Sequence, residues 1–344
     1  MRLDLNIGYS GPSVVSDPTL IEEAERLGYR CVWVAEAYGS DAASILGAIG
    51  AITSHLEIGS AIFQMPARTP AMTAMTAATL DGMTSGRFRL GLGLSGPQVV
   101  EGWHGVPYGR PLTRTREYVE IVRRILARTE PLTFDGVEYE IPFRGEGSTG
   151  LGKPLKRIGE ARPDIPIYLA SIGPQNVRLT AEIADGWLPI FYSPERADEV
   201  FGDALREGFE KSGVMEKADR FEVVPSVQAA AADDIDVARD QIRPQIALYV
   251  GGMGARNRNF YFDLAVRYGF EREAIRIQDR YLEGDKLSAI AAVPDELIDE
   301  VALVGSRERI RDRLEAWRES GVDAVAVGTI DLYTLRTVAA AAAE

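Results

Sequence analysis

Phe88-Arg89-Leu90-Gly91-Leu92-Gly93-Leu94-Ser95-Gly96 is the stretch on which the fold turns. Phe88–Leu92 reads as a short β-type run. The overlapping Gly91-Leu92-Gly93-Leu94-Ser95-Gly96 matches the Gly-x-Gly-x-x-Gly fingerprint of dinucleotide-binding folds, and Glu117 lies about where the ribose-binding acid of such a fold would stand. Two features weigh against that reading. The match falls at the fourth strand–helix unit rather than the first, and Pro97, Gly102 and Gly105 interrupt what should be a continuous helix. A strand end left bare, so that a flat ring can approach the backbone, accounts for the same glycines.

Outward from this stretch the pattern repeats. Leu3–Tyr9, Cys31–Ala35, Leu56–Phe63, Phe88–Leu92, Ile167–Ala170, Gly186–Ile190, Phe221–Ala229 and Ala324–Val327 read as strands. Helices are expected near Pro18–Leu27, Ala42–Thr53, Pro70–Met83, Leu112–Ala127, Pro174–Ala184, Pro194–Lys211, Ile235–Tyr249 and Arg307–Ser320. Asp17 before Pro18, Ser193 before Pro194 and Ser306 supply helix starts, and Gly28 and Gly321 supply stops. Eight such units predict an α/β protein with a (β/α)8 TIM barrel, one domain over 1–344 with insertions at about 131–166 and 251–305. The first insertion opens on a predicted hairpin, Leu132–Tyr139, turned at Asp135-Gly136. The second carries helical patterns and a Gly251-Gly252-Met253-Gly254 turn, and the Ala-rich Val338–Ala343 tail is expected to fray.

The chain has 344 residues, a net charge of −13 and 46% hydrophobic residues. Such acidity disfavours nucleic acid and anionic membrane as partners, since both need clustered Lys and Arg. Met1–Asn6 has no apolar core of a signal peptide, and the single cysteine, Cys31, sits in the apolar run Cys31–Val34. A cytoplasmic protein is expected.

With two histidines and one cysteine, an ordinary zinc site cannot be assembled, and no metal is expected. The elbow of a serine hydrolase is missed because Pro97 stands at its last position. Acid–base candidates are few: Glu36 and Asp41 after the second strand, with Tyr38 between them, and Glu101 after the fourth, followed by Trp103 and His104. All fall at the mouth where barrel catalysts stand. Asp41 also fits a helix cap, and His104 also fits a structural loop residue. Ala170-Ser171-Ile172-Gly173-Pro174-Gln175-Asn176 runs from a strand end into a helix, where free amides and the Ser171 hydroxyl could cradle a phosphate. An ordinary capped turn satisfies the same spacing. Lys153, Lys156 and Arg157, with Arg256 and Arg258, form two basic groups in the insertions, readable as an anion site or as solvated loop charge.

Val32-Trp33-Val34-Ala35-Glu36, Ile58–Ile62, Ser85–Gly93, Gly150–Leu155, Ala184-Asp185-Gly186-Trp187, Gly251–Gly254, Gly305-Ser306 and Gly321-Val322-Asp323 together resemble the bacterial luciferase-like superfamily. Within it the likeness is to the group that uses the deazaflavin coenzyme F420, such as methylenetetrahydromethanopterin reductase. The resemblance implies a bulged third strand whose non-prolyl cis peptide, at Ala61-Ile62 or one bond away, backs the central ring of the cofactor. It implies that Ser171, Ile172, Gly173 and Asn176 lie on the phosphate side, that Gly93, Ser95 and Gly96 approach the ring or ribityl chain, and that Tyr38 and Phe63 line the pocket with Trp103 and Trp187. Glu101 aligns with an acid that works in proton transfer in a related sugar-phosphate dehydrogenase. Where that enzyme has a histidine beside its second-strand acid, this chain has Ala37 and Tyr38, which speaks against a sugar phosphate.

The implied chemistry is hydride transfer at the deazaflavin C5 carbon to or from a small organic substrate, with Glu101, Glu36 or His104 moving the proton. Coenzyme F420 is the expected cofactor and FMN, in a monooxygenase on the same barrel, the alternative. A non-catalytic cofactor carrier is a third reading. The family implies a homodimer.

Overall fold

The alternation of β-type runs and helices closes into a barrel. In the computed structural model, which describes residues 1–9 and 11–344, the barrel strands are β1 (Arg2–Asn6), β2 (Cys31–Val34), β3 (Glu57–Ser60), β4 (Phe88–Gly93), β5 (Ile167–Leu169), β6 (Gly186–Trp187), β7 (Glu222–Val223 continued by Ser226–Ala231) and β8 (Ala324–Gly328). Each is parallel to the next. β8 returns to β1, with Leu5 opposite Val327. The expected run Phe221–Ala229 is broken because Pro225 has no N–H to give: the first part of β7 pairs with β6 and the second with β8.

The two-residue period of the strands sorts their side chains. Leu5, Val32, Val34, Ile58, Phe88, Leu90, Leu92, Ile167, Val325 and Val327 face the helices in one large core, whereas Cys31, Trp33, Tyr168, Leu188, Val224, Ala324 and Ala326 pack inside the barrel. The interior holds two large rings only because small residues face them: a Cβ on Gly59 would lie 2.4 Å from the Trp33 ring. Its floor is ionic. Arg89 bridges Glu57 and Glu222, each at 2.6 Å, and Arg2 reaches Glu222 at 3.0 Å.

Above that floor Asp4 is buried and accepts a 2.8 Å bond from Trp33 Nε1, while its other oxygen has no partner. Burial drives its carboxyl up from 3.8 to about 6, against the opposing pull of Trp33, Arg89 and Arg2. The folded protein therefore holds a proton that the unfolded chain has released, so stability falls as pH rises from about 4 through 6 and stays reduced above. That gap amounts to about 3 kcal/mol at most. Asp4→Asn removes the charge and keeps an acceptor for Trp33. We expect it to stabilise the protein by about 1 kcal/mol or more at pH 8 and by nothing at pH 4, measured by denaturant unfolding.

The insertions differ in part from their predicted forms. The hairpin pairs Phe134–Asp135 with Glu140–Ile141, so its loop is Gly136–Tyr139 rather than a two-residue turn at Asp135-Gly136. The cause is Glu117, whose carboxylate accepts the N–H groups of Val137, Glu138 and Tyr139 at 2.7–3.0 Å. That contact also removes Glu117 from any ribose-binding role. The second insertion ends in an unforeseen strand, Ala302–Gly305, paired to Ser226–Ala231. The chain's Ala-rich end does not fray: Leu332–Ala342 is a helix capped by Asp331, which accepts from Thr334 N at 2.7 Å, and it buries Leu335, Val338 and Ala341. No helix among the described residues is long and apolar enough to cross a membrane.

Candidate active site

The mouth is built where β2, β3, β4 and β5 end. β3 stops at Ser60, the Ala61-Ile62 peptide is cis, and pairing to β4 resumes at Phe63–Gln64. The chain buckles inward there because β4 offers no side chain against it. A Cβ on Gly91 would stand 1.9 Å from the Ser60 carbonyl oxygen, and one on Gly93 would stand 2.8 Å from the Ile62 side chain. Gly93 thus makes room for Ile62, rather than for a ring directly. Ser95 follows with φ +62°, and Gly96 caps the helix Pro97–Gly102. Six residues are too few for the long helix of a dinucleotide fingerprint, which disposes of that reading.

Behind the buckle is a polar brace. Glu36 sits against Arg68 at 2.7 Å, with side chains only 8% and 14% exposed, and accepts the backbone N–H groups of Gln64 at 3.2 Å and Ala42 at 3.4 Å. Arg68 also pairs with Asp41 and lies 4.7 Å over the Phe63 ring. Asp41 caps the following helix through Ser44 N at 2.8 Å. Glu36, expected as a proton carrier, is thus an ion-paired anchor with its oxygens occupied. Gln64, 1% exposed, donates from Nε2 to the Ala37 carbonyl at 2.7 Å and presents Oε1 to His104 Nε2 at 3.4 Å. His104 is half-buried. Glu101 is exposed, its Oε1 accepting from Tyr108 N at 3.3 Å. Trp103, 66% exposed, has its ring 6.4 Å from that of Tyr38, so the two form an aromatic rim beside these groups. Across the opening Tyr9 and Tyr249 bring their hydroxyls to 3.4 Å.

Two expected walls are not walls. Phe63 and Trp187 are both fully buried and belong to the helix-side core. Trp187 instead steadies the end of β5 by donating to the Ser171 carbonyl at 2.9 Å. The Ser171 hydroxyl is buried against the Thr180 hydroxyl at 2.9 Å, so it is not offered to a phosphate. The amides of Ile172, Gly173 and Gln175 are free: no described residue accepts from them, and they precede or open the helix Pro174–Ile183. Asn176, on the same first turn, is half-buried. Beside them is Arg267, at the end of the helix Phe260–Arg267, which donates to the Ile172 carbonyl at 3.4 Å. No carboxylate among the described residues pairs with it, and burial holds its guanidinium below its ordinary value.

The predicted basic groups do not come together here, although Arg258 is near enough for its charge to act on Tyr108 of the mouth loop. Lys156 donates to the Thr129 carbonyl at 3.1 Å and Arg128 to the Arg157 carbonyl at 2.8 Å, both just past the C-terminal end of the helix Pro111–Ala127. Barrel helices run against the strands, so that end lies toward the floor. Lys153 is exposed on the same segment, and Arg256 is paired with Asp279. Sequence reasoning missed Gln64, Arg68 and Arg267. Only the place of Gln64, just past the buckled strand, could have drawn attention to it.

A family model for luciferase-like monooxygenases matches residues 2–324. The chain belongs to the luciferase-like monooxygenase family. Within the family it is 43% identical over 342 residues to a Mycobacterium tuberculosis protein provisionally named a coenzyme F420-dependent oxidoreductase, covering 99% of this chain and 98% of that one. The F420-dependent tetrahydromethanopterin reductase of Methanopyrus kandleri superposes with a TM-score of 0.79 at 23% identity, covering 98% of both chains. The FMN-bound oxygenating part of a 3,6-diketocamphane monooxygenase from Pseudomonas putida superposes with a TM-score of 0.63 at 18% identity, covering 98% of this chain and 97% of that one. Both structures share the luciferase-like barrel.

Proposed function

We propose that this enzyme is a coenzyme F420-dependent oxidoreductase that moves a hydride between the deazaflavin and a carbonyl, imine-like or activated alkene carbon of a small organic substrate. The observation that carries the reading is the end-to-end 43% identity to the mycobacterial F420-dependent relative. The mouth suits such a cofactor. The Ala61-Ile62 buckle offers a flat backbone surface for a ring, and the free amides of Ile172, Gly173 and Gln175 suit an anionic tail. When bound, the deazaflavin supplies a hydride at C5 and has little capacity to activate oxygen. Tyr38 and Trp103 form an exposed aromatic rim at the opening, placed to cover a bound ring. Glu36 and Arg68 hold the buckle, and His104 holds the proton that accompanies the hydride, with Glu101 as the next group on the same loop.

Fluorescence titration of the protein with F420 and with FMN tests the cofactor. Trp33, Trp187 and Trp317 are buried and Trp103 is exposed at the mouth, so Trp103 is the reporter. F420 should quench it with an affinity at least tenfold above that of FMN; the reverse order would make the chain an FMN-dependent member. Tight F420 binding with no turnover across a panel of enones, aldehydes and ketones would make it a carrier.

Arg267 completes the anion cradle in this reading. A guanidinium bond to a charged oxygen contributes about 1.5–3 kcal/mol, so Arg267→Ala should weaken F420 binding by about tenfold or more and flatten its salt dependence, measured by the same titration.

We further propose a homodimer in a reducing cytoplasm. The helix Pro70–Met83 buries Thr73, Ala77 and Leu80 but exposes Met72, Met75 and Met83 on one side. The double change Met72→Glu with Met75→Glu should halve the mass seen by light scattering while leaving the circular dichroism spectrum intact.

A further inference from the structure

Gln64 is buried at the mouth, and both ends of its amide are used. The Ala37 carbonyl can only accept a hydrogen bond, so the amide nitrogen must face it, at 2.7 Å. That fixes the amide oxygen toward His104 Nε2, at 3.4 Å. The amide cannot turn over, because a flip would set two carbonyl oxygens against each other. Its backbone is held as well, since Gln64 N–H donates to Glu36, which Arg68 clamps. An oxygen in that place accepts a hydrogen bond from Nε2–H and disfavours the tautomer in which Nε2 is bare.

We infer that Gln64 is a positioning residue that locks His104 as the Nε2–H tautomer, leaving Nδ1 as the ring nitrogen that takes and returns the reaction's proton. The consequence for catalysis rests on the proton role given to His104 above; the Gln64–His104 contact itself does not. A lone loop histidine would turn about its side-chain bonds and divide its population between ring orientations. Tied to Gln64, whose segment pairs with β4, the ring keeps one orientation while the substrate binds and leaves.

Only two histidines occur, and His55 is exposed at the opposite end of the barrel wall, before β3. Nitrogen-15 long-range correlation spectra of the histidine-labelled protein can therefore be assigned with His55→Gln alone. The expected result is a single neutral Nε2–H tautomer for His104, with an imidazole proton protected from solvent exchange. Gln64→Met, of similar length but with no acceptor at Oε1, should lose that protected proton. A rapidly exchanging proton in the wild type, or protection unchanged in Gln64→Met, overturns the proposal.

Kinetics supply the second arm. Gln64→Met should lower kcat about tenfold with F420 affinity within twofold of wild type, and should add nothing in a His104→Ala background. An equal tenfold loss in both backgrounds would mean that Gln64 acts through the strand and not through the imidazole, and would overturn its positioning role. Wild-type kcat in His104→Ala alone would sink the proton assignment of the preceding subsection, and the spectra would then still decide the contact.

Discussion

Turnover of His104→Ala with F420 and a carbonyl substrate should fall by at least a hundredfold, while F420 binds within twofold of its wild-type affinity. A positioned proton donor or acceptor contributes roughly 10²–10⁴ in rate, and His104 is half-buried on its loop and tied by Gln64 to the end of the buckled strand. In the function proposed above the cofactor's anionic end takes a separate place, the free amides of Ile172, Gly173 and Gln175, so binding and chemistry should come apart on mutation. Stopped-flow absorbance of the reduced cofactor measures the first, and tryptophan quenching measures the second. His55→Ala is the control, because that residue is exposed before the other end of β3. Glu101→Gln, which changes an exposed carboxylate, should lose less than tenfold. If Glu101→Gln proves the more damaging change, the proton belongs to the carboxylate and His104 is a wall of the pocket.

The barrel was legible in the sequence because its evidence is local. Strands of β type alternate with helices, several of them capped, and most units declare themselves over a short stretch of chain. Even the buckle was reachable, since Ala61-Ile62 lies inside a stretch that resembles a known family, and the structure places the cis bond there. What escaped was every decision made between units. Ser171 looks like a phosphate ligand until Thr180 and Trp187 are seen to fix its hydroxyl and its carbonyl. Glu117 looks like a ribose acid until a hairpin loop twenty residues later occupies it. Phe63 and Trp187 carry the right chemistry for a pocket wall, but the pleat turns both toward the helices. Spacing tells which element a residue occupies and cannot tell which neighbour claims its polar atoms. For the same reason Gln64, Arg68 and Arg267, whose roles are entirely relational, left almost no mark in the sequence.

Arg68→Ala should be the most destabilising single change at the mouth, by about 3–5 kcal/mol, with a fall in Tm of roughly 5–10 °C. The argument is that Glu36 is nearly buried and ion-paired to Arg68, whose guanidinium also serves Asp41 and covers Phe63. Removal of Arg68 leaves a carboxylate facing only two backbone N–H groups, those of Gln64 and Ala42, and opens a void over an aromatic ring. A buried charge without its partner is worse than no charge, so the double variant Arg68→Ala with Glu36→Gln should recover more than half of the loss. Arg68→Lys should recover little, since an ammonium cannot reach two carboxylates in one plane while lying flat on Phe63. The same damage should reach the chemistry. Glu36 holds Gln64 N–H, and Gln64 holds His104, so Arg68→Ala should also lower kcat at temperatures where the protein is still folded. Equal stability of the single and double variants would show that Glu36 is solvated and that the brace carries no strain of charge; recovery of stability without recovery of kcat would show that the carboxylate, once neutral, no longer orients the strand end that His104 leans on.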